Sequence, residues 1–266
     1  MKWTSLLTML MMGLTSVNAQ RPVFKDDFER KRADSTITFE KHDQLELIER
    51  EGVDTSTALR ATYEPFDEGT KRIVVKHKLP PALEYTLNYD VKFESDFQFV
   101  RGGKLHGLSP KKPVTGGKEG RPDGWSARIM FRREGAMTNY DYHQNQPGKY
   151  GDRGEPLVKS FRFQKERWTS VSIHVRINED PSRATGFNDV YVDGKLIERH
   201  DNVQWRAVAT KETLINYFLF STFHGGHTRD WAPKDKEGNS VAVHALFDNI
   251  AVYPGKHVRK SPGKDW

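Results

Sequence analysis

The chain has 266 residues, no cysteine and a formal net charge of +6. The lack of cysteine excludes disulfide scaffolds, thiolate metal sites and cysteine nucleophiles. The positive charge is local, because residues 101–153 hold eleven Lys or Arg against five Asp or Glu. A surface with its positive charge in one segment attracts a polyanion to that segment. The segment 101–153 is therefore the expected place for a binding or catalytic site.

The first nineteen residues are typical of a secretory leader. Lys2 is followed by an apolar run from Leu6 to Leu14, and Val17, Asn18 and Ala19 form a small-residue cleavage signal. The alternative is a membrane anchor, but the apolar run is short for a helix that spans a bilayer. We expect residues 1–19 to be removed, and the protein to be secreted into an extracellular or periplasmic space.

The remaining residues, 20–266, contain no low-complexity linker that would indicate two domains. Their length suits one large domain. Short segments with period-two alternation, bounded by Gly, Pro, Asp or Asn, are typical of β-strands. Such segments occur at 23–30, 36–40, 45–49, 72–78, 85–93, 125–132, 138–144, 168–177, 189–199, 214–223 and 241–253.

Turn signals separate several of these segments. Asp193-Gly194 predicts a tight hairpin within 189–199, and Pro80-Pro81 predicts a turn between the segments at 72–78 and 85–93. No window has a convincing helical period. We therefore predict an all-β fold, a two-sheet β-jelly-roll sandwich with a concave substrate cleft and little helix. A barrel is the alternative.

The basic segment contains two strands that place polar side chains on one face. Alternation puts Ser126 and Arg128 on one side of the first strand and Tyr140 and Tyr142 on one side of the next. A hairpin near Glu134 would then set Arg128 opposite Tyr142, and Ser126 opposite Gln144. A shift by one residue would send the tyrosines to the other face.

These residue types suit the elimination chemistry of a sugar acid. A buried cation neutralises the carboxylate and so stabilises the anion that forms when the neighbouring carbon loses its proton. Tyrosine has a reference pKa of about 10, and nearby cations would bring it toward ionisation, so that it could act as base and then as acid. Glycoside hydrolysis usually needs two carboxylates, which this face lacks.

Three motifs in order resemble the family 14 polysaccharide lyases: GGKLHGL at 102–108, GWSARIMFR at 124–132 and YDY at 140–142. The resemblance implies a β-jelly-roll that cuts polyuronates by β-elimination without a required cofactor. It also implies that five residues carry catalysis or grip the substrate: Lys104, Ser126, Arg128, Tyr140 and Tyr142. The chain departs from the family pattern at His106, where the family has proline.

Further residues near these motifs are predicted to contact the polymer: Arg101, His106, Gln144, Lys149 and His224. The segment 111–124 is rich in glycine and lysine, and we interpret it as a flexible lip over the cleft. Each of the five motif residues also has a structural alternative: Lys104 as a loop lysine, Arg128 as an ion-pair arginine, Ser126 as a small core residue, and Tyr140 and Tyr142 as packed strand tyrosines. We assign no metal ligands, since His224 and His227 would need further partners.

Acidic residues near the two ends, Asp26, Asp27 and Asp248, have a placement that some sandwiches use for a structural calcium ion. Turn carboxylates with protein hydrogen bonds explain them equally well. Calcium is therefore one of two interpretations.

The leading hypothesis is a secreted, monomeric lyase of an anionic polysaccharide, with alginate, and polymannuronate in particular, before glucuronan. A noncatalytic jelly-roll module that binds acidic glycans is the alternative, and a glycoside hydrolase is a third. Nucleic acid is another polyanion, but export argues against it, and we expect neither a nucleic-acid nor a membrane partner.

Overall fold

The structure is a computed structural model that describes residues 20–29, 39, 41–66, 68–157 and 161–265. The leader lies outside the described residues and stays a prediction. The strands are β1 (Phe24–Asp26), β2 (Leu45–Ile48), β3 (Ala58–Tyr63), β4 (Ile73–Ala82), β5 (Glu84–Phe93), β6 (Gly102–Ser109), β7 (Ala127–Arg132), β8 (Met137–Asn139), β9 (Glu155–Pro156), β10 (Thr169–Arg176), β11 (Gly186–Val192), β12 (Lys195–Val203), β13 (Ile215–His224) and β14 (Val243–Pro254).

The strands form two antiparallel sheets that pack face to face. The larger sheet has nine strands in the order β2-β3-β14-β5-β10-β11-β12-β9, with β1 paired to β14, and the smaller has the order β4-β13-β6-β7-β8. The pairing of β1 with β14 brings the two ends of the domain together. The predicted all-β sandwich is confirmed, and the two separate sheets exclude the barrel.

Alternating side chains of both sheets build one core between them. In β7, Ala127, Ile129 and Phe131 point into this core, where Trp125 is also fully buried. Leu87, Tyr89 and Val91 are buried on the opposite side, in β5. Because one face of the five-stranded sheet packs in the core, Lys104 of β6 and Arg128 of β7 lie on its outer face.

The predicted hairpin at Asp193-Gly194 is confirmed. Both residues have positive φ, 46° and 78°, as a type I′ turn requires, and they join β11 to β12. Pro80 and Pro81, in contrast, do not form the predicted turn but lie within β4. Proline is tolerated there because β4 is an edge strand of its sheet, so the missing N–H groups cost few ladder hydrogen bonds.

Other boundaries also differ from the predictions. The strand predicted at 138–144 ends at Asn139, and β3, β6 and β9 were not predicted. The predicted strand at 36–40 lies outside the described residues except for Phe39, which is helical and buried. The helices with described bounds are 3-10 turns of three residues, and the described part of the chain contains no helix that is long and apolar enough to cross a membrane.

The carboxylates considered for calcium have protein donors. Asp248 accepts hydrogen bonds from the Val53 amide (2.9 Å) and the Ser56 hydroxyl (2.8 Å), and Asp27 pairs with Lys264 at 2.9 Å. Burial raises the pKa of Asp248 to about 7. These contacts fit the interpretation as turn carboxylates, and a structural calcium ion stays a prediction.

Candidate active site

The outer face of the five-stranded sheet gathers the predicted catalytic residues. The predicted hairpin exists, but its register differs by two residues. Ser126 faces Tyr142 across an antiparallel bridge, and the Tyr140 amide donates to the Arg128 carbonyl at 2.8 Å. Because the shift is even, both polar sets stay on one face, while the predicted pairs Arg128–Tyr142 and Ser126–Gln144 are wrong.

Lys104 lies in β6 with its ammonium over the ring of Tyr140. Its Nζ is 3.9 Å from that ring centroid and 3.2 Å from the sulfur of Met130. The side chain is only 9% exposed. Burial, and then the positive charges of Arg128, Arg132 and Arg72, lower the pKa of Lys104 well below its ordinary value. Lys104 is therefore a buried strand residue whose charged form is destabilised by its surroundings, and it is not a free loop side chain.

Arg128 lies in β7 directly beside this lysine. It is 3% exposed, and its Nε and Nη2 have no hydrogen-bond partner among the described residues. Its Cζ is 5.8 Å from the Tyr140 ring centroid. Buried donors are nearly always paired in proteins, so an arginine with two unpaired donors on a cleft face is suited to receive an anion from a ligand.

Tyr140 and Tyr142 are adjacent on the same face. Their hydroxyl oxygens are 3.3 Å apart, and the Gly117 amide donates to the Tyr142 hydroxyl at 2.8 Å. Tyr142 is fully buried, whereas Tyr140 is partly exposed. The expectation that cations bring both phenols toward ionisation is wrong for Tyr140: burial, and then the hydrogen bond with Tyr142, raise its pKa above the ordinary value.

Ser126 and Gln144 hold the lip. The Ser126 hydroxyl donates to the Val114 carbonyl at 2.8 Å, and the Gln144 amide donates to the carbonyls of Arg121 and Gly124 at 2.9 and 3.1 Å. Both side chains therefore fasten the segment 111–124 to the strands of the site. In the described geometry both side chains shape the cleft, and the contact of Gln144 with the polymer stays a prediction.

The lip carries less free positive charge than the sequence suggests. Lys111 pairs with Glu212 at 2.5 Å, and Arg121 and Lys112 both pair with Asp123. Exposed pairs of this kind contribute little to stability, but they reduce the local field. The lip therefore bounds the cleft mainly by its bulk and adds less positive charge than its sequence suggests.

Arg101 and Lys149 lie at two ends of the site. Arg101 is half-exposed and pairs with Asp230 at 3.3 Å, with its guanidinium 5.9 Å from the Trp231 ring. Lys149 is exposed and lines a groove with Gly117, Lys118 and Gln146. Both side chains reach solvent, and their contact with the polymer stays a prediction. Neither residue touches the cluster around Lys104.

His106 is a correction to the predicted substrate contacts. A β-bulge between Lys104 and Gly107 places two residues, Leu105 and His106, opposite one residue of β7. The bulge turns His106 into the core, where it is fully buried and stacks on Phe220 with 4.0 Å between ring centroids. Burial lowers its pKa to about 3. It cannot contact a polymer on the outer face.

His224 is a second correction. It is 1% exposed, stacks on Phe97, and its Nε2 is 2.7 Å from the carbonyl oxygen of Gln98. Burial lowers the pKa of His224 to about 4, so it is neutral at physiological pH. Its role in the described structure is to pack beneath the site.

Several cations were missed by the sequence reasoning. Arg72 precedes β4 and Arg132 ends β7, and both charges act on Lys104. Lys76 and Lys78 are exposed on β4 opposite Leu219 and Tyr217, which extends the positive surface across the sheet. The alternation of RIVVKHK at 72–78 was the signal that could have shown it, since it puts Arg72, Lys76 and Lys78 on one face.

The arrangement supports anion binding and proton transfer. Asp141 lies between the two tyrosines in sequence, and its side chain is on the opposite side of the backbone. It is buried and accepts hydrogen bonds from Asn188 and the Arg128 amide. Within the described residues, no hydrogen bond or ion pair joins a carboxylate to the side chains of Lys104, Tyr140 or Tyr142. A pair of acids for hydrolysis is therefore missing from this described cluster.

Comparisons with solved structures agree with the fold. The alginate lyase Aly36B has 25% sequence identity and a TM-score of 0.63, over 75% of this chain and 82% of its own. The marine PL-14 alginate lyase from Aplysia kurodai has 25% identity and a TM-score of 0.59, over 80% and 87%. An endo-β-1,4-glucuronan lyase from the fungus Trichoderma reesei, at 14% identity and a TM-score of 0.57 over 93% and 96%, shares the fold alone.

A comparison with curated protein sequences found no match. The sequence model of polysaccharide lyase 14, in contrast, matches residues 62–240, which is more than half of the chain and spans β4 to β13 with every residue of the site. The chain therefore belongs to polysaccharide lyase family 14, and it is a polysaccharide lyase.

Proposed function

We propose that this enzyme cleaves a polyuronate by β-elimination on the outer face of the five-stranded sheet, with alginate, and polymannuronate in particular, as the first substrate and glucuronan as the second. The observation that carries the proposal is Arg128, a buried guanidinium with two unpaired donors. It lies beside a buried lysine and a pair of tyrosines. A uronate carboxylate supplies the acceptor that these donors lack.

Arg128 would bind and neutralise the carboxylate of the sugar. A guanidinium matches a carboxylate with parallel hydrogen bonds, and burial strengthens this interaction because water does not screen it. The contact lowers the energy of the anion that forms when the carbon beside the carboxylate loses its proton. Lys104 adds a second charge close to the same point, and an anionic ligand would raise its lowered pKa again.

The tyrosines would move the proton. Tyr140 is the more exposed phenol and is placed to contact the sugar, while Tyr142 lies behind it and accepts a hydrogen bond from the Gly117 amide. The Gly117 amide would stabilise negative charge that develops on the Tyr142 oxygen during the reaction. In this scheme the two phenol oxygens share a single proton when the substrate is bound, and Tyr140 takes the proton from the sugar carbon as that shared proton passes to Tyr142. The reverse transfer then protonates the leaving oxygen, and the new chain end carries a double bond.

The choice of substrate draws support from the relatives. A mutant of the alginate lyase Aly36B has been solved with an alginate tetrasaccharide, and the Aplysia kurodai protein is described as an alginate lyase. Arg72, Lys76 and Lys78 extend the positive surface to several sugar units. An acidic polymer is a better match for this surface than a neutral one.

The test is incubation of the mature protein with polymannuronate, polyguluronate and glucuronan while the absorbance of the new carbon–carbon double bond is followed. We expect the largest rate on polymannuronate and a measurable rate on glucuronan. Folded protein that produces no unsaturated ends from any polyuronate would contradict the proposal. Binding without cleavage would instead indicate the noncatalytic module.

We further propose that the protein is secreted and acts as a monomer. The support is the leader-like sequence of residues 1–19, with its cleavage signal before Gln20. Terminal sequencing of the exported protein should begin at Gln20, and the mass in solution should be that of one chain. Retention in the cytoplasm with an intact N-terminus would contradict the first part, and a dimer mass the second.

A further inference from the structure

Two histidines and an aspartate converge behind the extended segment that carries Tyr140 and Tyr142. His143 Nε2 is 3.2 Å and His200 Nε2 is 3.6 Å from the same oxygen of Asp152, Oδ2. One ligand atom from each residue lies within 4.8 Å of the other two. Both histidine side chains are largely buried, and Asp152 is one-quarter exposed.

The other nitrogen of each imidazole is already held by an oxygen. His200 Nδ1 is 2.9 Å from Asp141 Oδ2, and His143 Nδ1 is 2.7 Å from Asn145 Oδ1. The orientation of the Asn145 amide is fixed independently, because its oxygen accepts from the Gln204 amide and its nitrogen donates to the Asn202 carbonyl. Each ring is therefore held through Nδ1, and Nε2 is the nitrogen that faces Asp152.

This is the arrangement that surrounds a metal ion in many proteins. Metal-binding histidines almost always donate their second N–H to a carboxylate or carbonyl oxygen, and this contact fixes the ring. Bonds of about 2.0 to 2.1 Å to a tetrahedral zinc ion would separate the ligand atoms by roughly 3.4 Å. The two nitrogen–oxygen distances, 3.2 and 3.6 Å, lie on either side of that value.

We propose that His143, His200 and Asp152 form a binding site for a divalent transition-metal ion, with Zn²⁺ as the best match to two imidazoles and one carboxylate. His143 also lines the groove formed with Gly117, Gln144 and Lys149, so water from this groove can supply a fourth ligand. The site lies outside the catalytic cluster and takes no part in the elimination.

A second group with similar residue types, Glu94, Asp96 and His244, is a poorer candidate for a metal site. Glu94 already pairs with the guanidinium of Arg60 at 2.8 Å, so a cation occupies the space in which a metal would be stabilised. In the described structure the side chain of Asp152 meets histidines and the Arg153 amide. His244 therefore provides a matched control.

The position of the site gives the ion a structural role. His143 follows Tyr142 directly, and Asp152 exchanges two backbone hydrogen bonds with Asp141, at 3.0 and 2.7 Å. His200 belongs to β12 in the other sheet. An ion bound to all three would fasten the segment that carries the tyrosines to the nine-stranded sheet.

The test measures metal binding and does not depend on activity. Chelator-treated full-length mature protein is titrated with Zn²⁺ by calorimetry, and bound zinc is measured after dialysis. We expect one Zn²⁺ per chain. Free Zn²⁺ at a hundredfold excess over Kd should raise Tm by about 5 °C or more, because the ion binds the folded state. Asp152→Asn and His200→Asn should lower the affinity at least tenfold, and His244→Asn should leave the stoichiometry at one.

A spectroscopic measurement on the wild-type protein covers the case in which the variants fail to fold. Co²⁺ at this site should give the intense visible bands of four-coordinate cobalt, and Zn²⁺ should displace them. Zinc that does not bind, binding that Asp152→Asn and His200→Asn leave unchanged, or cobalt spectra of the six-coordinate hydrated ion would each overturn the proposal. In that event the three residues form only a hydrogen-bonded network.

Discussion

The backbone amide of Gly117 donates a hydrogen bond of 2.8 Å to the hydroxyl of Tyr142. Gly117 belongs to the lip and has a φ of 70°, a left-handed conformation that glycine adopts without strain. The lip and the two tyrosines are thereby coupled, because the lip supplies a backbone donor to the hydroxyl of Tyr142. We therefore expect changes that disorder the lip to lower the rate of the reaction.

Replacement of Tyr142 by phenylalanine removes the hydroxyl behind Tyr140 and leaves the ring in place. We expect kcat on polymannuronate to fall by about 10² to 10⁴, the usual contribution of acid–base catalysis, with little change in KM. The kcat of the Tyr140→Phe variant should fall at least as far. Tyr191→Phe, on the nine-stranded sheet, is the control and should keep the wild-type rate. A Tyr142→Phe enzyme within threefold of wild type would remove Tyr142 from the mechanism.

The lowered pKa of Lys104 predicts a pH effect. Burial and three nearby arginines lower this pKa well below 10.5, so the useful charge is present at low pH and is lost as pH rises through the lowered value. In Lys104→Arg the charge persists, because arginine stays protonated. We expect the alkaline limb of the kcat/KM profile to move to higher pH in this variant. Profiles that superimpose after scaling would show that Lys104 does not set the limb.

Ser126→Ala separates a catalytic role from an anchoring role. The Ser126 hydroxyl donates to the Val114 carbonyl and so fastens the lip. We expect KM to rise severalfold while kcat stays within about threefold of wild type, since removal of a hydrogen bond of this kind costs about 1 kcal/mol. Steady-state kinetics on polymannuronate measures both. A large fall in kcat with KM unchanged would restore the catalytic role suggested by the family resemblance.

His106 should control acid stability and not turnover. Its folded pKa of about 3 lies below the unfolded value near 6.5. The neutral ring therefore contributes stability above the unfolded pKa, and this contribution is lost as pH falls toward 3. His106→Leu should reduce the slope of unfolding free energy against pH, between about pH 6 and 4, by about 1.4 kcal/mol per pH unit.

Urea unfolding at several pH values measures this slope, and the kcat of His106→Leu at neutral pH should equal that of the wild type. The lost acceptor for the Ser221 amide lowers stability at every pH and so does not alter the slope. Because the contributions of separate histidines add, an unchanged slope would show that folding does not lower the pKa of His106. A large loss of kcat in folded protein would show that His106 does contribute to the active site.

The amino-acid sequence determined what depends on local pattern. Alternation fixed most strands and the face that Arg128 shares with Ser126, because side chains two apart in a strand always lie on the same side. The Asp193-Gly194 dipeptide fixed its hairpin, since few residues accept positive φ at two successive positions. The same alternation placed Tyr140 and Tyr142 together on one side, because the backbone stays extended beyond the end of β8, whereas Lys104 was found from its sequence motif.

Only the tertiary structure decided what depends on register, bulges and burial. One extra residue in β6 turned His106 from the outer face into the core, and no local pattern marks that insertion. The raised pKa of Tyr140 follows from how deeply its ring is covered, which is a property of the packed site. His143, Asp152 and His200 meet because β12 passes beside the extended segment that carries the two tyrosines, and a contact between segments so distant in the chain is set by the packing of the two sheets.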